Sequence, residues 1–214
     1  MKSWFKSLFD SDSDNKVRQL SHPRDLQIGD IIKFRLLPQC MINNARFEVS
    51  SINTYDFEDR KLTEFVLQGN GAEACYLTVD ETGDEPFLAI SQKVSRDMVE
   101  QIFDLDEFAL LFDDESHNKI NRQREPEALQ GWTADFYIQE IFCERGYFFK
   151  GDYRERSLPQ SESEGESFDY YLAIDNSRQF VVEAEVYDGG ETDVLITVRR
   201  SLDSIEEMWP ASNG

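Results

Sequence analysis

From Asp25 onward, apolar side chains recur at every second position in short runs, and Gly, Asn, Asp and Pro punctuate the gaps between runs. A period of two is the signature of half-buried β-strands. DLQIGDIIKFRLLP (25–38) reads as a turn at Gly29 entering a strand with Ile32, Phe34 and Leu36 on one side. RFEVSSINTYDF (46–57) is a long strand whose parity shifts between Val49 and Ile52, which predicts a bulge at Ser50 and Ser51. LTEFVLQ and CYLTV flank the turn at Gly69, Asn70 and Gly71, and FLAIS follows the turn around Gly83. Together these predict an antiparallel meander or half-open barrel.

The period then lengthens to that of a helix. Ser95 is placed to cap a short helix whose inward face is Met98, Val99, Ile102 and Phe103, and a second helical turn runs from Asp106 with Phe108, Leu111 and Phe112 inward. Residues 113–130 show no periodicity and read as a linker or long exposed loop. Strand character resumes after Trp132 with TADFYIQEIF, GYFFKGDYR, DYYLAI, FVVEAEVY and VLITVRR. A final helix is expected from Ser201, bearing Leu202, Ile205, Met208 and Trp209 and stopping before Pro210.

The two halves end alike. Ser95, Val99, Ile102 and Phe103 are followed by Ser201, Ile205, Met208 and Trp209 at one constant offset, since 201 − 95 and 209 − 103 both equal 106. The expectation is therefore an α+β, mainly β protein made of two similar antiparallel β-meander or half-barrel subdomains, each ending in a short helix. The boundaries are an N-terminal amphipathic helix and acidic linker (1–15), a first subdomain (16–112), the linker (113–130) and a second subdomain, a duplication of the first (131–214).

Residues 2–9 form a separate unit. Trp4, Phe5, Leu8 and Phe9 make one apolar helical stripe beside Lys2 and Lys6, and the acidic run DSDSDN then separates it from the body. So short a helix cannot stand alone in water, so the stripe must dock on this chain, on a partner protein or on a membrane interface. The Asp10, Asp12, Asp14 run lacks the Gly and Glu that an EF-hand loop requires, because Asn15 and Ser21 occupy those positions.

Charge narrows the field of functions. The chain holds 22 Lys and Arg against 43 Asp and Glu, a formal charge of −21, and a field of that sign repels nucleic acid. With 40% hydrophobic and 13% aromatic residues, it is nonetheless too apolar to remain a disordered acidic tail. Cys40, Cys75 and Cys143 are widely spaced and no His lies at ligand spacing from them, so neither a disulfide framework nor a metal or cofactor site is expected. No apolar run is long enough to cross a membrane and no secretory leader is legible, so a cytoplasmic location is expected.

Motifs for chemistry are sparse. GNGAEA (69–74) fits G-x-G-x-x-A, but a strand rather than a helix follows, so it is a hairpin turn. RGYFFKGDY (145–153) partly fits an RNA-stacking strand, yet Phe148 and Lys150 depart from that pattern and the net charge opposes it. No nucleophile elbow, zinc-protease helix or phosphate-binding loop occurs, and among 43 acids no single carboxylate pair stands out.

Leu26, Ile28, Gly29 and Asp30, with the F-E-V strand at 47–49 and T-E-F-V-L at 63–67, give residues 26–90 a likeness to a known pattern. This stretch resembles an uncharacterised bacterial family of β-rich domains of unknown function, found with phage-shock and membrane-stress proteins. The resemblance implies an accessory role near a membrane-associated assembly, and it carries no catalytic residues.

Two functions follow as expectations. One is a non-enzymatic interaction module that binds a protein partner, with peripheral membrane contact, through Trp4, Phe5, Leu8 and Phe9. The other is a small-molecule protein for cationic ligands, or a carboxylate-based enzyme, with a groove between the repeats around Tyr147, Phe149, Tyr170 and Tyr171.

Overall fold

The computed structural model describes residues 18–71, 74–83, 85–113, 117–159 and 165–211. Residues 1–15, with the stripe of Trp4, Phe5, Leu8 and Phe9, lie outside the described residues. The described residues form eleven strands and two short α-helices, in chain order. They are β1 (Ile31–Phe34), β2 (Arg46–Phe57), β3 (Lys61–Gln68), β4 (Ala74–Asp80), β5 (Phe87–Val94), α1 (Arg96–Ile102) and α2 (Leu105–Ala109). After these come β6 (Lys119–Asn121), β7 (Phe136–Lys150), β8 (Glu166–Ile174), β9 (Phe180–Tyr187), β10 (Thr192–Ser201) and β11 (Ile205–Trp209).

All pairings are antiparallel, in the order β11-β1-β2-β3-β4-β5-β10-β9-β8-β7-β6, and a further pairing of β2 with β7 closes the middle eight strands into a barrel. Two meanders, β2–β5 and β7–β10, meet at two seams. At one, Val198 lies opposite Ile90 and Thr197 opposite Ser91; at the other, Thr54 lies opposite Phe149 and Tyr55 opposite Phe148. Closure removes the edges that an open sheet would leave unpaired, and among the described residues only β11 and β6 remain as outer strands.

Several local readings hold. The register of β2 against β3 skips between Val49 and Ser51, the expected bulge. Ser95 accepts a hydrogen bond from the Met98 N–H and caps α1, and Asp104 caps α2 from the Asp106 and Glu107 N–H groups.

Others are corrected. The segment after Ser201 is a 3-10 turn (Leu202–Ser204) followed by strand β11, not a helix. Its spacing suits a helix, but so short a segment gains more by giving its backbone to the free edge of β1, where Trp209 lies opposite Ile31 and Met208 opposite Ile32. Leu36, expected on the first strand, lies beyond its end and is 80% exposed. TADFYIQEIF and GYFFKG merge into one 15-residue strand, β7, whose register shifts twice and whose Cys143 has φ 53. The stretch 113–130 contains β6 and a 3-10 turn, and it buries Ile120 and Leu129.

Alternate side chains of each barrel strand face opposite ways. The outward face is the more apolar one: Leu67, Leu77, Ile90, Val182, Ala184 and Ile196 join Val99 and Ile102 of α1, Leu111 and Trp132 in the main hydrophobic cluster. Gln139 Nε2 donates to the Leu111 carbonyl and ties the helical segment to β7. The inward face carries a second cluster, with Phe57, Phe168, Tyr170, Leu172, Ile174 and Val181. Gly146 is required at the β2–β7–β8 seam, because a Cβ there would stand 2.5 Å from the Phe168 ring and 2.9 Å from that of Phe57. No described helix is long and apolar enough to cross a membrane.

Candidate functional site

An eight-stranded barrel is just wide enough inside to be filled by side chains or to hold one small ligand. Here one end is open. A half-open cup of about 730 Å³ is lined by side chains from all eight barrel strands, which identifies it as the mouth of the lumen. Tyr55 of β2, Tyr76 of β4, Phe148 of β7 and Tyr187 of β9 form aromatic walls. Acidic residues dominate the polar lining, with Glu64 from β3, Glu185 from β9 and Asp193 from β10.

Glu64 and Glu185 face each other, because β3 and β9 are four strands apart in a ring of eight. They are only 4% and 5% exposed, so both carboxyls are removed from bulk water. Asn53 Nδ2 donates to Glu64 at 2.9 Å, the Tyr187 hydroxyl donates to Glu185 at 2.7 Å, and the Tyr55 hydroxyl interacts with both carboxyls. Deeper in the lumen, Glu183 accepts from the hydroxyls of Tyr170 and Thr197, and Thr197 lies 2.7 Å from Ser91 Oγ. Among the described residues, every hydrogen-bond partner of these three glutamates is a neutral donor. Among the described residues no Lys or Arg lies within ion-pair distance of them, and the one lysine lining the cup, Lys93, sits 2.5 Å from Asp193.

Burial without a cation disfavours the charged form of a carboxyl. It pushes Glu64 up to about 7, with the charge of Glu183 adding to the effect and hydrogen bonds from Asn53 and Tyr55 opposing it. It pushes Glu185 up to about 8, against the Tyr187 hydrogen bond and with help from the charges of Glu64, Glu183 and Asp193. Burial and the same glutamates raise the hydroxyls of Tyr55, Tyr170 and Tyr187, which therefore remain proton donors at neutral pH. The cup thus pairs acids that titrate near neutrality with fixed neutral donors. That is the environment in which a carboxyl exchanges a proton for another cation.

The structure does not gather the four aromatics expected to line a groove. Tyr170 faces the lumen and holds Glu183, whereas its neighbour Tyr171 faces outward against the rings of Phe112 and Phe142 at 5.0 and 5.5 Å. Phe149 is buried beside Tyr153, and Tyr147 lies opposite Asp56 and Ser167; the residue of this run that lines the cup is Phe148. Glu64, Glu183 and Glu185 were not singled out by sequence reasoning. For the last two the one signal is position: in FVVEAEVY, Glu183 and Glu185 alternate with Val182, Ala184 and Val186 and so share one face of a strand.

Among the described residues no group of His, Cys, Asp and Glu is arranged to hold a metal ion. Cys75 is buried, and Cys40 and Cys143 are exposed and unpaired in disulfides. No family model, curated protein or solved structure matches this chain, so nothing in those comparisons bears on the resemblance drawn from residues 26–90.

Proposed function

We propose that the protein binds a small ligand in the barrel lumen, one that carries a positively charged amine on an apolar or aromatic body. The observation that carries this reading is the buried pair Glu64 and Glu185, which has hydrogen-bond donors but no cationic partner among the described residues. A buried carboxylate is costly until a counter-ion arrives, and an ammonium group supplies one. The walls suit the rest of such a ligand: Tyr55, Tyr76, Phe148 and Tyr187 offer ring faces for an apolar body and for cation–π attraction. A net charge of −21 raises the local concentration of cations and disfavours anionic competitors.

Calorimetric titration at pH 8.5 with tyramine, agmatine and their uncharged or anionic analogues tests the reading. Amines are expected to bind the native protein and to lose that binding in the Glu64→Gln, Glu185→Gln double variant. Equal binding of tyramine and its neutral alcohol analogue sinks the proposal.

Two readings from sequence continue as part of this proposal. One is a cytoplasmic location. The other is descent of the two meanders from a duplicated unit, supported by the pairing of Ser91 directly opposite Thr197. These residues are separated by 197 − 91 = 106 positions, the offset that relates the two halves in sequence.

A further inference from the structure

A second concavity lies away from the cup, where residues 18–27 pack beside the turn that follows β7. It encloses about 580 Å³, and four of its ten lining residues are arginines: Arg18, Arg24, Arg154 and Arg156. On a chain of charge −21, the notch gathers four guanidiniums beside three lining carboxylates, Asp25, Asp152 and Glu155, so what it offers an anion depends on which guanidinium donors are left unmatched.

Two of the arginines build the notch. Arg18 is paired with the buried Asp30. Arg154 grips Asp152 through Nε at 2.9 Å and through Nη2, and its Nη1 donates to the Arg24 carbonyl, joining the two segments. Asp152 is therefore already matched, and this neighbour holds its carboxyl below the usual range.

The other two keep donors in reserve. Arg156 is held in place on three sides: its Nε donates to the Asp152 carbonyl at 2.6 Å, its guanidinium stacks on Tyr153 at 4.1 Å, and Gly151 leaves it room. Gly151 has φ +125, and a Cβ there would stand 3.0 Å from Nη2 of Arg156. Nη1 and Nη2 of Arg156 have no hydrogen-bond partner among the described residues. Arg24 uses Nη1 on Glu81, at 3.1 and 3.3 Å, its Nε lies 3.9 Å from the Asp25 carboxylate, and its Nη2 has no hydrogen-bond partner among the described residues.

Positioned guanidiniums with unused terminal donors are anion receptors. A carboxylate offers two coplanar oxygens, which one guanidinium fork satisfies. The free fork of Arg156 and the remaining terminal donor of Arg24, which come from separate chain segments, suit a tetrahedral group with three free oxygens. We infer that the notch binds the phosphoryl group of a small anionic ligand, with Arg156 and Arg24 as direct donors and Arg154 as the residue that positions them. This site is independent of the amine cup in location and in charge.

The test is calorimetric titration of the full chain with inorganic phosphate at fixed ionic strength, repeated with acetate. Phosphate is expected to bind at least about tenfold more tightly than acetate, and Arg156→Gln and Arg24→Gln should each weaken it by about tenfold. Arg156→Lys, which keeps the charge but loses the fork, should recover only part of the affinity. Arg178→Gln, which removes a surface ion pair with Glu140 outside the notch, should change nothing. Far-UV circular dichroism and thermal melts of each variant separate lost binding from lost folding. No phosphate binding, equal affinity for acetate, or unchanged binding in a folded Arg156→Gln variant overturns the inference.

Discussion

Replacing Glu185 by Gln should stabilise this protein at alkaline pH and do almost nothing at acid pH. The folded state holds the Glu185 proton up to about 8, against an ordinary value of 4.5 for a glutamate. Between those values the folded chain binds a proton that the unfolded chain has released, so stability falls as pH rises through the window and levels off above it. Each unit of separation is worth about 1.4 kcal/mol, so the whole shift amounts to about 5 kcal/mol for Glu185. For Glu64, held up to about 7, the same arithmetic gives about 3 kcal/mol. These are upper bounds, because water entering the half-open cup at high pH relieves part of the penalty, and the two do not add, because each carboxyl contributes to the other's shift. Glutamine keeps the shape and removes the charge. Urea unfolding of the native and Glu185→Gln proteins at half-unit steps from pH 5 to 9 gives the difference directly, and titrations common to both chains cancel. The expected difference is within about 1 kcal/mol at pH 5, the scale of one altered hydrogen bond, and grows to several kcal/mol in favour of Gln at pH 9. Two parallel curves, or a Gln variant less stable at pH 9, would refute the claim that this carboxyl is buried without a counter-ion.

Three further outcomes follow from the same geometry. Amine binding should release protons, because a cation in the cup favours the ionised glutamates: affinity should rise from pH 6 to 8.5, and the calorimetric heat should vary with the ionisation enthalpy of the buffer. Gly146→Ala should destabilise the fold by about 1–3 kcal/mol in urea unfolding, since the added carbon would meet the buried Phe168 ring at 2.5 Å. Tyr170→Phe should cost about 1–3 kcal/mol, because it removes a hydroxyl that Glu183 accepts from inside the lumen, and a thermal melt should show the loss.

The barrel wall inverts the usual division of a small barrel into a dry inside and a wet outside. Its outward face, covered by α1, residues 110–112 and the 117–135 stretch, holds the larger apolar cluster, while the inward face mixes aromatics with acids. A small barrel filled only by Leu and Val would be a stable scaffold with no site. The glutamates reduce stability at neutral pH and above, a trade found where a protein keeps polar groups ready for a ligand.

Much of the wall was legible from periodicity alone, because a period of two dictates a pleated strand wherever one face must be buried. The β2 bulge, the Gly69–Gly71 hairpin and the Ser95 cap were each carried by a few adjacent residues. The C-terminal strand was not. Ile205, Met208 and Trp209 satisfy helical spacing, and only the free edge of β1, more than 170 residues away in sequence, turns that segment into a strand. The acidic site was hidden for a related reason. In an isolated strand, Glu183 and Glu185 opposite Val182 and Ala184 mark the solvent side, and period two cannot distinguish solvent from lumen. That distinction is made by the pairing of Asn53–Phe57 with Gly146–Lys150, which closes the sheet and brings strands β3 and β9 face to face. The sequence by itself therefore determined most of the barrel strands, their turns and the acidity of the chain. Tertiary closure alone decided which acids are buried, because burial depends on contacts between segments nearly a hundred residues apart, and those contacts turn an ordinary polar face into a site.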